Sequence, residues 1–393
     1  MSTATMVDLI GFAHTPFTRA PGADIETLMA RVATESIADA GLEASDIDAV
    51  VIGHFGHGLV TQGFVAGLSS GLAPGLRGKP SLRVESACAS GSAAVHQAAM
   101  RIAAGYAKRV LVIGVEVMSA LPTRDVGQAL LKASYVQDEA QLEGGFAGMF
   151  ALIAEQYAQR FGNPHDAMAR IAVKAHANGV HNPYAQYRQP VDLATCSTAS
   201  DKNPRVAGML LRSDCSPISD GAAALVVSAS SAVPAGAPRV RLRAMAQVND
   251  VMPIAGRDMS ELSGARLVWQ QMLAAGGVTL DHLAGAEVHD CFTVAELMLY
   301  EAMGLTPPGR GHVALDEGWV EAGGRLPVNL SGGLKSKGHP VGATGVSMHV
   351  LAAWLLLGRY RPGALRPGAD MVGVLNLGGA AVTNFASLLE RVH

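Results

Sequence analysis

Two stretches of this chain follow the same plan 236 positions apart, and that repetition constrains the fold more than any single motif. Residues 26–54 read as a helix, then Ala40-Gly41-Leu42, an acidic turn and an apolar strand from Ala49 to Ile52 that ends in Gly53-His54. Residues 264–290 repeat it: a helix from Ala265 to Ala274, Gly276-Gly277-Val278, a turn with Asp281, and a strand ending in Val288-His289-Asp290. The next units match too. Strand Leu82–Val84, a small-residue loop, a helix to about Ala104 and strand Val110–Val115 correspond to strand Val328–Leu330, a glycine loop, a helix to about Leu357 and strand Met371–Leu375. The pattern predicts an α/β protein of two duplicated halves, each with mixed strands covered by helices. Chance similarity between generic β/α units is the alternative, and four elements in identical order argue against it.

At 393 residues the chain exceeds what one core usually supports, which agrees with duplication. Residues from about 120 to 215 match neither half, are richer in Gln, Asn, His, Tyr and Arg, and carry the turn signals Asn163-Pro164 and Asn182-Pro183. Composition leaves this insertion open as a lid over a substrate site or as a passive packing or oligomerisation element. The segment Asp214–Val227 regains strand character and is expected to rejoin the first half. The expected units are therefore residues 1–119 with 216–235, the insertion 120–215, and residues 236–393.

A formal net charge of −3 and the lack of any long Lys/Arg run give no footprint for nucleic acid or an anionic membrane. Four cysteines without a CxxC pair fit free thiols in a reducing compartment better than a disulfide framework or a zinc site. With neither a leader-like N-terminus nor 18 consecutive uncharged apolar residues, a soluble cytoplasmic protein is expected.

Cys88 lies where an apolar strand runs through Glu85-Ser86-Ala87 into a helix beginning near Ser90. A thiol there meets unpaired backbone N–H groups and the positive end of the helix dipole, which favours the thiolate. A buried structural thiol is the competing reading. Offsets of 246 to 253 between matching elements place the counterpart of Cys88 within residues 334–341, and His339 of SGGLKSKGHPVGATG falls there. Two helix starts facing each other about a pseudo-twofold axis would bring this base to the thiol. Lys335 and Lys337 beside Gly332-Gly333 leave an anion site open, although the spacing fits neither a Walker loop nor GxGxxG.

In AEVHDCFTVAE an apolar strand ends in His289, Asp290 and Cys291, which are costly to bury unless bonded to one another or to a ligand. No further ligands recur at the right spacing, which argues against a metal. Strand Gly373–Leu377 ends in Gly378-Gly379, where a backbone N–H could approach a bound oxygen, or where a plain turn suffices.

Together, ACAS around Cys88, HDCF at 289–292, GHPVGATG at 338–345 and NLGG at 376–379 resemble the ordered signature blocks of the thiolase superfamily over essentially the whole chain. HDCF in place of Asn-Glu-Ala-Phe, and Asn376 in place of a second catalytic cysteine, are similar to the sterol-carrier-protein type. The resemblance implies the thiolase fold, with layered helices and mixed sheets and a loop domain that binds coenzyme A.

It also implies site roles. His339 takes the proton of Cys88, whose thiolate attacks an acyl thioester; Cys291 moves the proton alpha to the carbonyl of a second acyl-CoA. His289 and His339 hold the enolate oxygen through a water, and the backbone N–H groups of Cys88 and Gly378 hold the tetrahedral oxyanion, each such donor lowering the barrier by roughly 3 kcal/mol. The implied partners are acyl-CoA and coenzyme A, with no tightly bound cofactor and no metal, in a homodimer or homotetramer of lipid or fatty-acid metabolism. The main expectation is thus a β-ketoacyl-CoA-forming or -cleaving acyltransferase. The alternatives are a retro-aldolase or C-acyltransferase subunit working with a small OB-fold partner, and a non-catalytic acyl-CoA-binding scaffold.

Overall fold

The computed structural model of the protein describes residues 5–20 and 22–392. Its strands are β1 (Val7–His14), β2 (Ala49–Gly53), β3 (Ser81–Val84), β4 (Arg109–Glu116), β5 (Arg205–Ala207), β6 (Leu210–Leu211), β7 (Gly221–Ala229), β8 (Arg239–Asn249), β9 (Leu283–Val288), β10 (Met371–Gly378) and β11 (Thr383–Arg391). β5 and β6 pair as a small hairpin; the other nine form one sheet in the order β3-β2-β4-β7-β1-β8-β11-β10-β9.

The duplication is explicit in this order. Reading outward from the antiparallel seam between β1 and β8, each half places an antiparallel strand next (β7 or β11), then a strand antiparallel to it (β4 or β10), then a parallel strand (β2 or β9). β3 continues the first half in parallel beside β2. In the second half the expected strand Val328–Leu330 is reduced to a single parallel bridge between Val328 and Ala286. The cause is local. Asn329 adopts a left-handed backbone, φ 56°, which no extended strand can continue. Its side chain instead accepts from the backbone N–H of Val288 at 2.8 Å. Sequence periodicity also overlooked β1 and β8, although their antiparallel pairing joins the halves.

Two helices form the middle layer. Helix Ser90–Ala103 packs on helix Val341–Leu356, and the latter also touches β4 and β7 of the first half and β10 of the second. All 16 residues of Val341–Leu356 are buried, as befits a helix with no polar face. Helix Ile25–Asp39 covers β1 and β7, and helix Ser263–Gly276 covers β8 and β11. Among the described residues no helix is long and apolar enough to cross a membrane.

The two middle helices meet backbone to backbone at their first turns. A Cβ on Gly91 would lie 2.6 Å from Val346 N and 2.8 Å from Gly345 N; a Cβ on Gly345 would overlap Ser92 N and reach 2.5 Å from Asn376 Oδ1. These glycines bring both helix N-termini, and the loops that lead into them, to one crevice beyond the C-terminal ends of the parallel strands.

Helices Phe146–Phe161 and His165–Gly179 of the insertion close over the second half. Lys174 Nζ lies 2.7 Å from Glu296 Oε1, both side chains being almost wholly buried, and donates to the Val328 carbonyl at 2.8 Å. Phe150 stacks on Phe292 with centroids 4.4 Å apart.

Gly345→Ala should lower stability by about 3 kcal/mol, the upper end for inserting a methyl into packed backbone, read as a fall in the urea midpoint. Gly63→Ala, whose Cβ meets nothing within 4 Å, should leave the midpoint unchanged.

Candidate active site

β3 ends at Val84, and Ser86 to Ser90 form a tight turn in which Ala89 and Ser90 donate backbone N–H groups to the Ser86 and Ala87 carbonyls. Ser90 Oγ fixes the turn further, accepting from Ser86 N at 2.9 Å and donating to the Ala87 carbonyl at 2.6 Å. Ala87 takes a left-handed φ of 49°, uncommon for a residue with a Cβ, immediately before Cys88. Across the crevice, Asp290 accepts from the backbone N–H groups of Leu334 at 2.6 Å and Lys335 at 3.2 Å, so the HDCF segment carries the loop that ends in His339. Burial raises the Asp290 pKa well above the usual carboxylate range, with the Glu296 charge acting the same way.

Cys88, His289 and His339 converge. The Cys88 Sγ and one ring nitrogen of each histidine all lie within 4.8 Å of one another. The imidazole rings meet edge to face with centroids 5.1 Å apart. Nε2 of both rings is buried without a hydrogen-bond partner, whereas each Nδ1 is engaged: His339 Nδ1 lies 2.7 Å from Thr344 Oγ1 and His289 Nδ1 lies 2.8 Å from Asn376 Nδ2. Three such atoms could chelate a metal ion or pass protons; spacing alone permits both.

Burial sets the electrostatics. It pushes the Cys88 thiol up to about 12, assisted by the Glu116 and Glu85 charges and against the pull of the Gly379 and Cys88 backbone N–H groups. The thiolate favoured by the helix start is therefore not the resting form, because a 3% exposed sulfur loses more hydration than two N–H groups return. Burial and the Lys337 charge bring His339 down to about 3; burial, His339 and Lys337 hold His289 well below its ordinary value. The resting site is neutral thiol against neutral imidazoles.

Cys291, 3% exposed, lines the same cavity of about 580 Å³ as Cys88 and His339. Burial raises its thiol well above the usual range, and a charge on Cys88 would raise it further. Met118, Val126, Phe146 and Phe292 give the cavity an apolar wall; Lys202, Arg212 and Lys335 give it cations. The two lysines of the glycine loop diverge. Lys335 faces the cavity near the Tyr187 ring, while Lys337 is fully buried with no hydrogen-bond partner on Nζ. Gly378 ends β10 opposite Thr383, where a Cβ would strike the Ser86 carbonyl, so only glycine lets this strand end against the Cys88 turn. The backbone N–H that meets the Cys88 sulfur comes from its neighbour Gly379.

Sequence reasoning overlooked Glu116, at the end of β4. Its carboxylate accepts from Phe55, Gly56 and Gly342 N–H groups at 2.9, 3.2 and 3.1 Å and ties β2 to the start of the central helix. An ionisable residue ending an apolar strand, the signal that singled out HDCF, was present here too.

Residues 7–231 match the family model for the thiolase N-terminal domain, and residues 246–391 that for a thiolase C-terminal domain-like unit. The acetyl-CoA acetyltransferase of Methanothermobacter thermautotrophicus is 31% identical over 98% of this chain and 99% of its own. Human sterol carrier protein 2 is 30% identical over 97% of this chain and 71% of its own. Among solved structures, an Ltp2–ChsH2(DUF35) aldolase superposes with a TM-score of 0.81 at 24% identity, covering 98% of both chains. Human mitochondrial 3-ketoacyl-CoA thiolase superposes at 0.74 and 15% identity, covering 99% of this chain and all of that one.

With the Cys88 thiol near 12 and His339 near 3, the thiolate population grows as pH rises. Iodoacetamide labelling of Cys88, followed by peptide mapping, should climb about tenfold per pH unit from roughly pH 7 to 9.5 without levelling. A plateau near neutrality would reveal a resting thiolate–imidazolium pair instead.

Proposed function

The chain belongs to the thiolase family and is an acyl-CoA C-acyltransferase, and from that premise we propose that it makes or cleaves β-ketoacyl-CoA through an acyl group held on Cys88. The observation that carries the site assignment is the meeting of the Cys88 thiol with the imidazoles of His289 and His339, each with an unpartnered Nε2, beside a cavity lined by Cys88, Cys291 and His339.

In the synthetic direction His339 Nε2 accepts the Cys88 proton as the sulfur attacks the carbonyl carbon of the first acyl-CoA. The backbone N–H groups of Cys88 and Gly378 carry the oxyanion role. The tetrahedral intermediate collapses, the C–S bond to coenzyme A breaks, and the leaving sulfur takes the Cys291 proton. The Cys291 thiolate then removes a proton from the carbon alpha to the second thioester. The resulting enolate oxygen is held by His289 and by His339, now protonated. Its carbon attacks the acyl-Cys88 carbonyl, the C–S bond to Cys88 breaks, and His339 returns the proton to the sulfur. The products are one β-ketoacyl-CoA and one free coenzyme A; thiolysis is the reverse.

The neutral resting site suits this cycle, because charge appears only when substrate has displaced water. The apolar wall suits the acyl group, and Lys202, Arg212 and Lys335 suit the anionic part of coenzyme A. The insertion 120–215 acts as the loop domain that contributes much of this lining. Two copies or more, in a cytoplasmic setting, complete the reading.

Incubation with acetyl-CoA followed by peptide mass spectrometry should place an acetyl group on Cys88; unmodified Cys88 at saturating acetyl-CoA overturns the proposal. Cys291→Ala should still acylate Cys88, coenzyme A departing as its thiolate and taking a proton from solvent, but should slow carbon–carbon exchange by about 10²- to 10⁴-fold, the span of a general acid–base group. Unchanged thiolysis would remove its role.

A further inference from the structure

Asn376 stands where the proton-transferring cysteine of most family members is found, and its side chain does not face the cavity: it is wholly buried and fully hydrogen bonded. Oδ1 accepts from Ser92 Oγ at 2.8 Å; Nδ2 lies 3.3 Å from the Cys88 carbonyl oxygen and 2.8 Å from His289 Nδ1. These partners leave one consistent proton arrangement. The Cys88 carbonyl can only accept, so the Asn376 atom facing it must be the NH₂ group. The second N–H of that group then points at His289 Nδ1, which must accept. The His289 proton is therefore on Nε2, which is buried and has no hydrogen-bond partner.

His339 reaches the opposite state by the same logic. The Thr344 hydroxyl donates to the Pro340 carbonyl at 3.0 Å, so its oxygen accepts from His339 Nδ1–H at 2.7 Å and leaves a lone pair on Nε2. We infer that Asn376 is a positioning residue that locks His289 in the Nε2–H tautomer, so that Asn376 and Thr344 divide two like imidazoles into a fixed donor and a fixed acceptor. His339 is thereby free to take the Cys88 proton, and His289 can donate to the enolate oxygen without first acquiring a proton. The same lock denies Nε2 of His289 to a metal ion, although the spacing of Cys88, His289 and His339 would suit one.

The catalytic consequence rests on the thiolase reading above, but the tautomer is observable without turnover. In the intact protein labelled with ¹⁵N-histidine, nitrogen shifts should show a protonated Nε2 and bare Nδ1 at His289 and the reverse at His339, assigned by the loss of each signal in His289→Asn and His339→Asn. A protonated Nδ1 at His289 in the wild type overturns the inference. Asn376→Asp replaces the N–H with an acceptor, draws the His289 proton to Nδ1 and bares Nε2. That variant should bind Co²⁺ with a thiolate-to-metal absorption that disappears in Cys88→Ser, while the wild type shows none; equal Co²⁺ binding by both overturns the inference. Asn376→Asp should also lower carbon–carbon exchange about 100-fold, the effect of one lost oxyanion donor. If the wild type formed no acyl-Cys88 yet showed the stated tautomers, the functional reading would fail and the proton assignment would stand.

Discussion

Everything at the catalytic crevice depends on two helices touching through glycine. Gly91 and Gly345 put the backbones of Ser90–Ala103 and Val341–Leu356 in direct contact at their first turns, with Gly53 and Gly114 lining the approach against Ser90 and Ala343. A single methyl at this crossing would separate the loops that enter the helices. Those loops carry Cys88 and His339, so the packing of the core and the placing of an imidazole beside a thiol are one geometric requirement. Gene duplication supplies the symmetry, and glycine supplies the distance.

The second requirement is dryness. Cys88, Cys291, His289 and His339 are each under about a tenth exposed, and burial is the largest influence on all four. The groups therefore rest uncharged. Lys337 strengthens this state from behind. Its buried charge presses both histidines toward neutrality without occupying a place in the cavity.

Much of this was legible in the sequence because it rests on periodicity and order. The paired helix-and-strand units, the strand ends at Gly53 and Val288, and the positional match of His339 to Cys88 follow from residue patterns that local sterics enforce. Three features were not legible, each for a physical reason. The strand expected at Val328 fails because Asn329 turns left-handed to serve its side-chain bonds. The high thiol pKa depends on how much water the whole fold removes, which no neighbour in sequence records. The proton states of the two histidines depend on carbonyls and hydroxyls brought from other segments, so Asn376 looked like a loss where it is a partner.

The Lys174–Glu296 pair has a meaning for how such proteins diverge. Glu296 also accepts from Asn329 Nδ2 at 2.8 Å and from the Tyr300 hydroxyl, so one buried carboxylate gathers groups from the insertion, the HDCF helix and the turn before the glycine loop. An insertion grafted from a relative without a matching lysine would leave that carboxylate unpaired in the interior, at a cost of about 3–5 kcal/mol. Chimeras of this scaffold are therefore more stable when the insertion is exchanged together with the HDCF helix.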